Sequence, residues 1–157
     1  MRHAGHLIQR FFGQLGASGL TPNEQQQVHD RLDEPAAALF WAQGPADQRH
    51  AFEVAGRVAE EIPGDDEAVV AALLHDVGKR HTDLGAVGRS MATVLDAAGM
   101  PLTPSMQLYR SHGAIGAAEL EAAGFDGLVV AFAARHPEPA PPGADLARWN
   151  ALLVADG

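Results

Sequence analysis

Apolar residues recur at helical spacing along much of the chain, and no stretch shows the apolar–polar alternation of a β-strand. The segment from His3 to Leu15 has its large apolar residues on one side, which predicts an amphipathic helix. The run Thr21-Pro22-Asn23-Glu24 predicts the start of a second helix, with a capping threonine, proline at the first position and glutamate at the third. Another helix is predicted from Pro45 through Glu61, where Pro63-Gly64 ends it.

The most apolar predicted helix runs from Val69 to Val77. Asp65, Asp66 and Glu67 precede it, and negative charge at a helix N-terminus favours the helix dipole. We expect Gly78 to end this helix. Because the helix is apolar all round, it should lie at the buried centre of the fold. Four further helices are predicted, at Ala86–Ala98, Ser105–Ala123, Asp126–Arg135 and Asp145–Asp156.

These elements predict an all-α fold, a single bundle of about seven or eight helices. The 157 residues fit one domain with a sizeable core, and 46% of them are hydrophobic. We expect residues 1–45 to form an N-terminal helical extension packed on a core of residues 46–157. For the helix His3–Leu15 two alternatives stay open: its apolar face packs on the domain, or it docks on a membrane as an interfacial helix.

The charge and the residue types narrow the classes of function. With 11 basic and 20 acidic residues the formal net charge is −9, which repels phosphate backbones and argues against general nucleic-acid binding. The absence of cysteine excludes disulfides, zinc–thiolate sites and cysteine nucleophiles. The apolar runs are too short to span a bilayer, and Arg10 and Gln14 interrupt any secretory signal, so we expect a cytoplasmic protein.

The eight histidines fall into two groups. The first group lies in polar surroundings or near helix ends, as ordinary surface or capping histidines do, and consists of His3, His6, His29 and His81. The other four, His50, His75, His112 and His136, lie on or at the ends of predicted core-facing helices, and Asp76 and Asp156 have similar positions. Each histidine alone would more often be a core residue with satisfied hydrogen bonds, and Asp76 alone could be paired with an arginine. Together they predict a metal site.

Imidazole and carboxylate ligands without thiolate favour iron, manganese, zinc, nickel or cobalt over calcium. One divalent metal needs three or four such groups, and six could hold two metals bridged by a carboxylate and a hydroxide. Two metals of this kind polarise a phosphoryl oxygen and make a nucleophile of bound water near neutral pH. Such hydrolysis needs no serine or cysteine, which suits a chain without a G-x-S-x-G motif.

Lys79 is the only lysine of the chain and follows Asp76 by three residues. We predict that it is a point charge for a substrate phosphate, the alternative being a cation at a helix C-terminus. Arg80, Arg110 and Arg135 flank the predicted ligands and could line an anion pocket, although each could also be a surface residue.

These residues resemble the HD superfamily of metal-dependent phosphohydrolases. The resemblance runs through Arg49-His50, the stretch Ala71 to Lys79 with its HD-x-G-K run, Ser111 to Gly116, Arg135-His136 and Leu153 to Asp156, and covers about two thirds of the chain. The later histidines are similar to the two-metal subset, as in bacterial HD-type hydrolases of diadenosine tetraphosphate. The chain as a whole also looks like a small HD-domain group common in actinobacteria.

The resemblance implies a role for each ligand. His50, His75, Asp76 and Asp156 would bind a first metal, and Asp76 would bridge to a second held by His112 and His136. A metal-bound hydroxide would attack phosphorus while Lys79 steadies the phosphate. Where many relatives have two successive histidines, this chain has His136-Pro137, and proline disfavours helical backbone at His136. One-metal and two-metal centres therefore both stay open.

The expected function is hydrolysis of a small phosphate ester or anhydride by a metal-activated hydroxide, with a nucleotide as the expected substrate. One alternative is a metal-binding regulatory or ligand-sensing domain without turnover. A di-iron oxygenase is a further alternative, because the HD fold can also carry oxidative chemistry.

Overall fold

The computed structural model of the protein describes residues 19–82 and 84–157, so the predicted helix His3–Leu15 lies outside the described residues. Within these ranges the chain forms nine α-helices, one 3-10 helix and no strand, which confirms the predicted all-α bundle. None of these helices combines the length and the apolar character needed to cross a bilayer. In chain order they are α1 Pro22–His29, α2 Glu34–Trp41, α3 Pro45–Glu61, α4 Asp66–Leu74, the 3-10 helix η1 Val77–His81, α5 Ala86–Ala97, α6 Pro104–Arg110, α7 His112–Ala122, α8 Gly127–Arg135 and α9 Leu146–Asp156.

Two elements raise the number of helices above the prediction. Helix α2 was not predicted; it begins because the side chain of Asp33 accepts a hydrogen bond from the backbone N–H of Ala36 at 3.0 Å, with Pro35 in the first turn. The predicted helix Ser105–Ala123 is two helices, α6 and α7. They meet at Ser111, whose backbone (φ −94°, ψ 4°) leaves the helical region.

Helix α4 lies in the middle of the hydrophobic core, as its all-round apolar sequence predicted. It packs against α3 and α8, and Leu73 and Leu74 are 1% and 0% exposed. Phe132 of α8 and Trp149 of α9 complete this region, with ring centroids 5.3 Å apart in an edge-on arrangement. Removing a side chain of this size from water stabilises the fold by roughly 1.5–3 kcal/mol or more. The same core includes Val28 of α1.

The end of α4 differs from the prediction. The helix spans Asp66–Leu74, so the predicted end at Val77 is wrong, and so is the expectation that Gly78 terminates the helix. Gly78 lies inside η1 without a positive φ. A Cβ at Gly78 would lie 2.0 Å from the carbonyl oxygen of His112. Glycine is therefore needed here because two backbones approach closely, not because a helix ends.

Candidate metal centre

Six predicted ligands from five separate segments meet at one place beside the core. They are His50 of α3, the pair His75 and Asp76 between α4 and η1, His112 at the start of α7, His136 directly after α8, and Asp156 at the end of α9. The structure thus brings together every ligand that the sequence predicted.

Asp76 is the shared member of this cluster. Its Oδ1 lies 3.1 Å from Nε2 of His136 and 3.5 Å from Nε2 of His112, and its Oδ2 lies 3.3 Å from Nε2 of His75. Two groups with metal-ligating atoms within 4.8 Å of one another result: His50, His75 and Asp76 form the first group, and Asp76, His112 and His136 form the second group. The carboxylate of Asp76 is common to both groups and could contribute a ligand atom to either.

Asp156 lies beside the two histidines of the first group. Its Oδ1 lies 3.0 Å from Nε2 of His50 and 3.4 Å from Nε2 of His75. The residue is buried at the C-terminal end of α9. A buried carboxylate between two imidazoles adds a fourth possible ligand to His50, His75 and Asp76.

Backbone carbonyls determine the tautomers of three of the histidines. Nδ1–H of His75 donates to the carbonyl of Ala72 at 2.8 Å, and the corresponding atom of His112 donates to that of Tyr109 at 2.6 Å. His136 donates in the same way to Phe132 at 3.0 Å. A carbonyl oxygen can only accept, so in the neutral imidazole the proton is on Nδ1 and the lone pair of Nε2 points into the cluster. Metal-ligating histidines are commonly held in this way.

Two ring nitrogens in the cluster lack a hydrogen-bond partner. Nε2 of His75 and Nε2 of His112 are buried, and neither has an acceptor or donor in hydrogen-bonding geometry among the described residues. Leaving a buried polar atom unsatisfied costs about 1–3 kcal/mol. A divalent cation would supply the missing partner of His112, and at His75 it would take the place of a proton attracted by Asp76 and Asp156. The donor types and these two nitrogens therefore fit a transition metal.

The two buried carboxylates of the cluster, Asp76 and Asp156, stabilise positive charge beside them. Burial acts to lower the pKa of His75, but Asp76 and Asp156 outweigh it and raise the pKa to about 10. Burial acts to raise the pKa of Asp76, but His75 and Lys79 hold it well below the usual range. Without a metal, protons on His75 and Lys79 balance the carboxylates. Metal binding releases protons from its ligands, so a cation would replace the proton on His75.

At His136, burial is the larger effect, and it lowers the pKa although the nearby carboxylate of Asp76 acts to raise it. His136 is therefore neutral near pH 7, the form that binds a metal. At Asp156, burial acts to raise the pKa, but His50 and His75 bring it below the usual range. Each of these two residues is thus in its ligating protonation state.

Lys79 lies against the cluster rather than in solvent. Its Nζ donates a hydrogen bond to Oδ2 of Asp76, and its side chain is 11% exposed. Burial acts to lower the pKa of Lys79, and Asp76 reverses this and raises it. The lysine is therefore a charged donor at the edge of the candidate metal centre.

The three arginines predicted to bind phosphate are each paired with a carboxylate outside the cluster. Arg80 bonds to Glu119 at 2.6 Å. Arg110 contacts Asp96 at 2.8 Å, and Arg135 contacts Glu138 at 3.0 Å. A role of these arginines in phosphate binding stays a prediction.

Glycines let α7 approach its neighbours closely enough to deliver His112. A Cβ at Gly113 would lie 2.8 Å from the carbonyl oxygen of Ala133 in α8, and one at Gly116 would lie 3.1 Å from the backbone nitrogen of Gly78 in η1. The first distance is too short for any side chain, and the second would require the neighbouring backbone to shift by a few tenths of an ångström. The first turn of α7 therefore fits between η1 and α8, beside Asp76.

Sequence reasoning missed Tyr109, which contacts His112, and also Arg89 and Asp47, which are linked to it through the Tyr109 ring. Arg89 of α5 forms a bidentate ion pair with Asp47 of α3, at 2.5 and 2.9 Å, and its guanidinium carbon lies 5.9 Å from the ring centroid of Tyr109. The Tyr109 ring is stacked on the imidazole of His112, with centroids 5.3 Å apart and planes 21° apart. Arg89 and Asp47 are 42 positions apart, so no local pattern marks their ion pair, and although Tyr109 lies only three positions before His112, nothing in the sequence indicates that the two rings stack.

Fold and site together define an all-helical protein with a candidate His/Asp metal centre. No protein-family model, no curated protein and no solved structure matches the chain. The likeness to the HD superfamily therefore depends on the motif residues quoted above and stays an expectation.

Proposed function

We propose that this protein is a metal-dependent phosphohydrolase that cleaves a small phosphate ester or anhydride, with a nucleotide as the expected substrate. The observation that carries the proposal is the position of Asp76. Its carboxylate is shared by two histidine groups and contacts the only lysine of the chain. An arrangement of this kind serves both to bind metal and to hold an anion.

The chain would hold a first metal with His50, His75, Asp76 and Asp156, and a second with Asp76, His112 and His136. The donor set favours iron, manganese, zinc, nickel or cobalt. Bound there, such ions would polarise a phosphoryl oxygen and lower the pKa of bound water towards neutrality. The support for this assignment is the two unpartnered Nε2 atoms and the Nδ1 hydrogen bonds that aim them.

Lys79 would contact the substrate. In the structure its ammonium donates to Oδ2 of Asp76, the oxygen that also faces His75. An ammonium has three donors, so those not used by Asp76 remain for a phosphate oxygen. Its low exposure strengthens this interaction, because charge–charge attraction is weakly screened away from water.

A second candidate function is a metal-binding regulatory or ligand-sensing domain without turnover. The observation that favours it is the pairing of Arg80, Arg110 and Arg135 with carboxylates. Paired arginines contribute less to the binding of a highly charged phosphate. The two functions differ in turnover, not in metal content.

The test combines metal analysis with a substrate screen. Protein expressed in metal-supplemented medium should contain transition metal, and its manganese, iron or zinc form should hydrolyse a member of a nucleotide panel. Asp76→Asn should lose both properties, whereas Asp30→Asn, at the exposed end of α1, should keep both. Metal-free wild-type protein would refute the proposal. Metal-loaded protein inactive on the whole panel would favour the sensing domain.

A further inference from the structure

His112 is the first residue of α7, and two contacts of its ring come from Tyr109 in the last turn of α6. The carbonyl of Tyr109 accepts the hydrogen bond from Nδ1 at 2.6 Å, and the phenol ring stacks on the imidazole. The close contacts of α7 with η1 and α8 place the backbone of His112, whereas the orientation of its ring towards Asp76 depends on Tyr109 and therefore on where α6 lies.

Arg89 connects Tyr109 to the helix that carries His50. Its guanidinium carbon lies 5.9 Å from the ring centroid of Tyr109, within the range of a cation–π contact. The same guanidinium binds both carboxylate oxygens of Asp47, in the first turn of α3. A chain of contacts thus runs from α3 through α5 and α6 to His112.

Few apolar side chains of α5 are buried against the rest of the protein, so the ion pair between Arg89 and Asp47 contributes much of its attachment. Among the described side chains of α5, Val87, Met91 and Val94 are 57%, 49% and 63% exposed, and Ala92 is fully buried. Asp47, in contrast, is 5% exposed, and a carboxylate so deeply buried is costly unless it is paired. Arg89 is therefore the main attachment of α5 to α3 that the described residues provide.

We propose that Asp47, Arg89 and Tyr109 form a positioning unit that fixes His112 and so determines the affinity of the second group for a divalent cation. The inference rests on the proposed metal centre. The metal affinity of the first group (His50, His75 and Asp76) does not depend on contacts with the Tyr109 ring. Its members lie on α3, on the α4–η1 junction and, with Asp156, on α9, and none of them has a ring contact with Tyr109 among the described residues.

The experiment is a titration of metal-free protein with Co²⁺, followed by calorimetry and by the visible absorption of the bound ion. Wild-type protein should bind two ions in separable steps. Tyr109→Leu removes the ring and should weaken the second step by about 10- to 100-fold, the range measured when a residue that supports a ligand is lost. The first step should keep its wild-type affinity.

Two variants distinguish positioning from general loss of structure. Tyr109→Phe keeps the ring and should restore wild-type affinity in both steps. Asp96→Asn removes the exposed ion pair with Arg110, which joins the same two helices, and should also bind both ions normally. A purely structural effect of Tyr109→Leu would weaken both steps together.

The ion pair is tested with Arg89→Met. This variant leaves Asp47 buried without its partner and is liable to unfold, so Asp47→Asn combined with Arg89→Met provides a version without the uncompensated charge. Either folded variant should weaken the second step alone.

The outcomes separate the two proposals. If Tyr109→Leu and the double variant both bind two ions with wild-type affinities, the proposed positioning unit is wrong, whereas the proposed metal centre is not affected. Wild-type protein that binds one ion would overturn the second group and this inference with it. Wild-type protein that binds none would overturn both proposals.

Discussion

Oδ1 of Asp76 lies 3.1 Å from Nε2 of His136, although 60 positions separate the two residues along the chain. Pro137 follows His136, and the backbone of His136 accordingly leaves the helix, with ψ at 143°. The ring still reaches Asp76, because Nδ1 donates back to the carbonyl of Phe132 in α8. The departure from helical backbone that the proline predicted is confirmed, and it does not take His136 out of the cluster.

His136→Ala therefore tests whether the second group binds metal. The variant should contain half the metal of wild-type protein, because Asp76 and His112 alone provide fewer than the three or four ligands that a transition metal needs. Metal analysis by mass spectrometry gives the stoichiometry. His29→Ala, on the exposed side of α1, is the matched control and should keep the full content. Unchanged stoichiometry in His136→Ala would reduce the centre to the first group.

Lys79→Met tests the anion-binding role of the lysine. In metal-loaded protein we expect kcat/KM on a phosphorylated substrate to fall by about 10²-fold, the order of effect of losing one donor to developing negative charge. Metal stoichiometry should not change, because Lys79 is not a ligand. Steady-state kinetics together with metal analysis check this. If the variant turns over substrate at the wild-type rate, Lys79 only balances the charge of Asp76 and does not bind the substrate.

Gly78→Ala tests the close approach of η1 and α7. The added methyl group would lie 2.0 Å from the carbonyl oxygen of His112, and backbone cannot move aside as a side chain can. We expect a loss of about 1–3 kcal/mol in the free energy of unfolding, typical of overpacking, together with weaker metal binding. Urea denaturation measures the first effect and Co²⁺ titration the second.

Gly56→Ala is the matched control for this substitution. Gly56 lies inside α3 with no atom within 4 Å of an added Cβ. Alanine is the better helix former by roughly 0.5–1 kcal/mol, so this variant should be more stable than wild type. If Gly78→Ala were equally well tolerated, the contact between η1 and α7 would not constrain the site.

Arg148→Met tests a pH-dependent link between α9 and the start of α4. Arg148 binds both oxygens of Asp65 at 2.7 Å and lowers the pKa of that carboxyl below its usual value. A lowered pKa means that the stabilisation is fully present above the unfolded pKa of about 3.9 and is lost as the pH falls through the folded pKa. The variant should be less stable by up to about 1 kcal/mol at pH 7, and the difference should shrink in more acidic solution.

Urea titrations of wild type and variant at pH 7 and at acidic pH measure that difference. Arg31→Met is the control, since its partner Asp66 is 3.8 Å away and 92% exposed, and such a pair contributes little. A destabilisation by Arg148→Met that is independent of pH would mean that the side chain acts through packing alone.

Local sequence patterns predicted most of the helices correctly. The capping box at Thr21 is present, with the N–H of Thr21 bonded to the carboxylate of Glu24 at 2.7 Å. The side chain of Asp65 accepts from the N–H of Ala68 at the start of α4. The errors fall where distant contacts decide the outcome, as at Gly78, whose role depends on the backbone of His112 34 positions further along the chain.

Patterns along the sequence were sufficient to predict the helical class, the buried place of α4 and the candidate metal ligands. These properties depend on side-chain type and on neighbours three or four residues away, which a linear pattern contains. The packing of the helices was needed to show that Asp76 is shared by two groups and that His50 contacts Asp156, 106 positions away. It was also needed to show that the Tyr109 ring stacks on His112 and contacts Arg89. Such relationships arise only when separate helices pack, because burial then determines which polar groups face one another away from water.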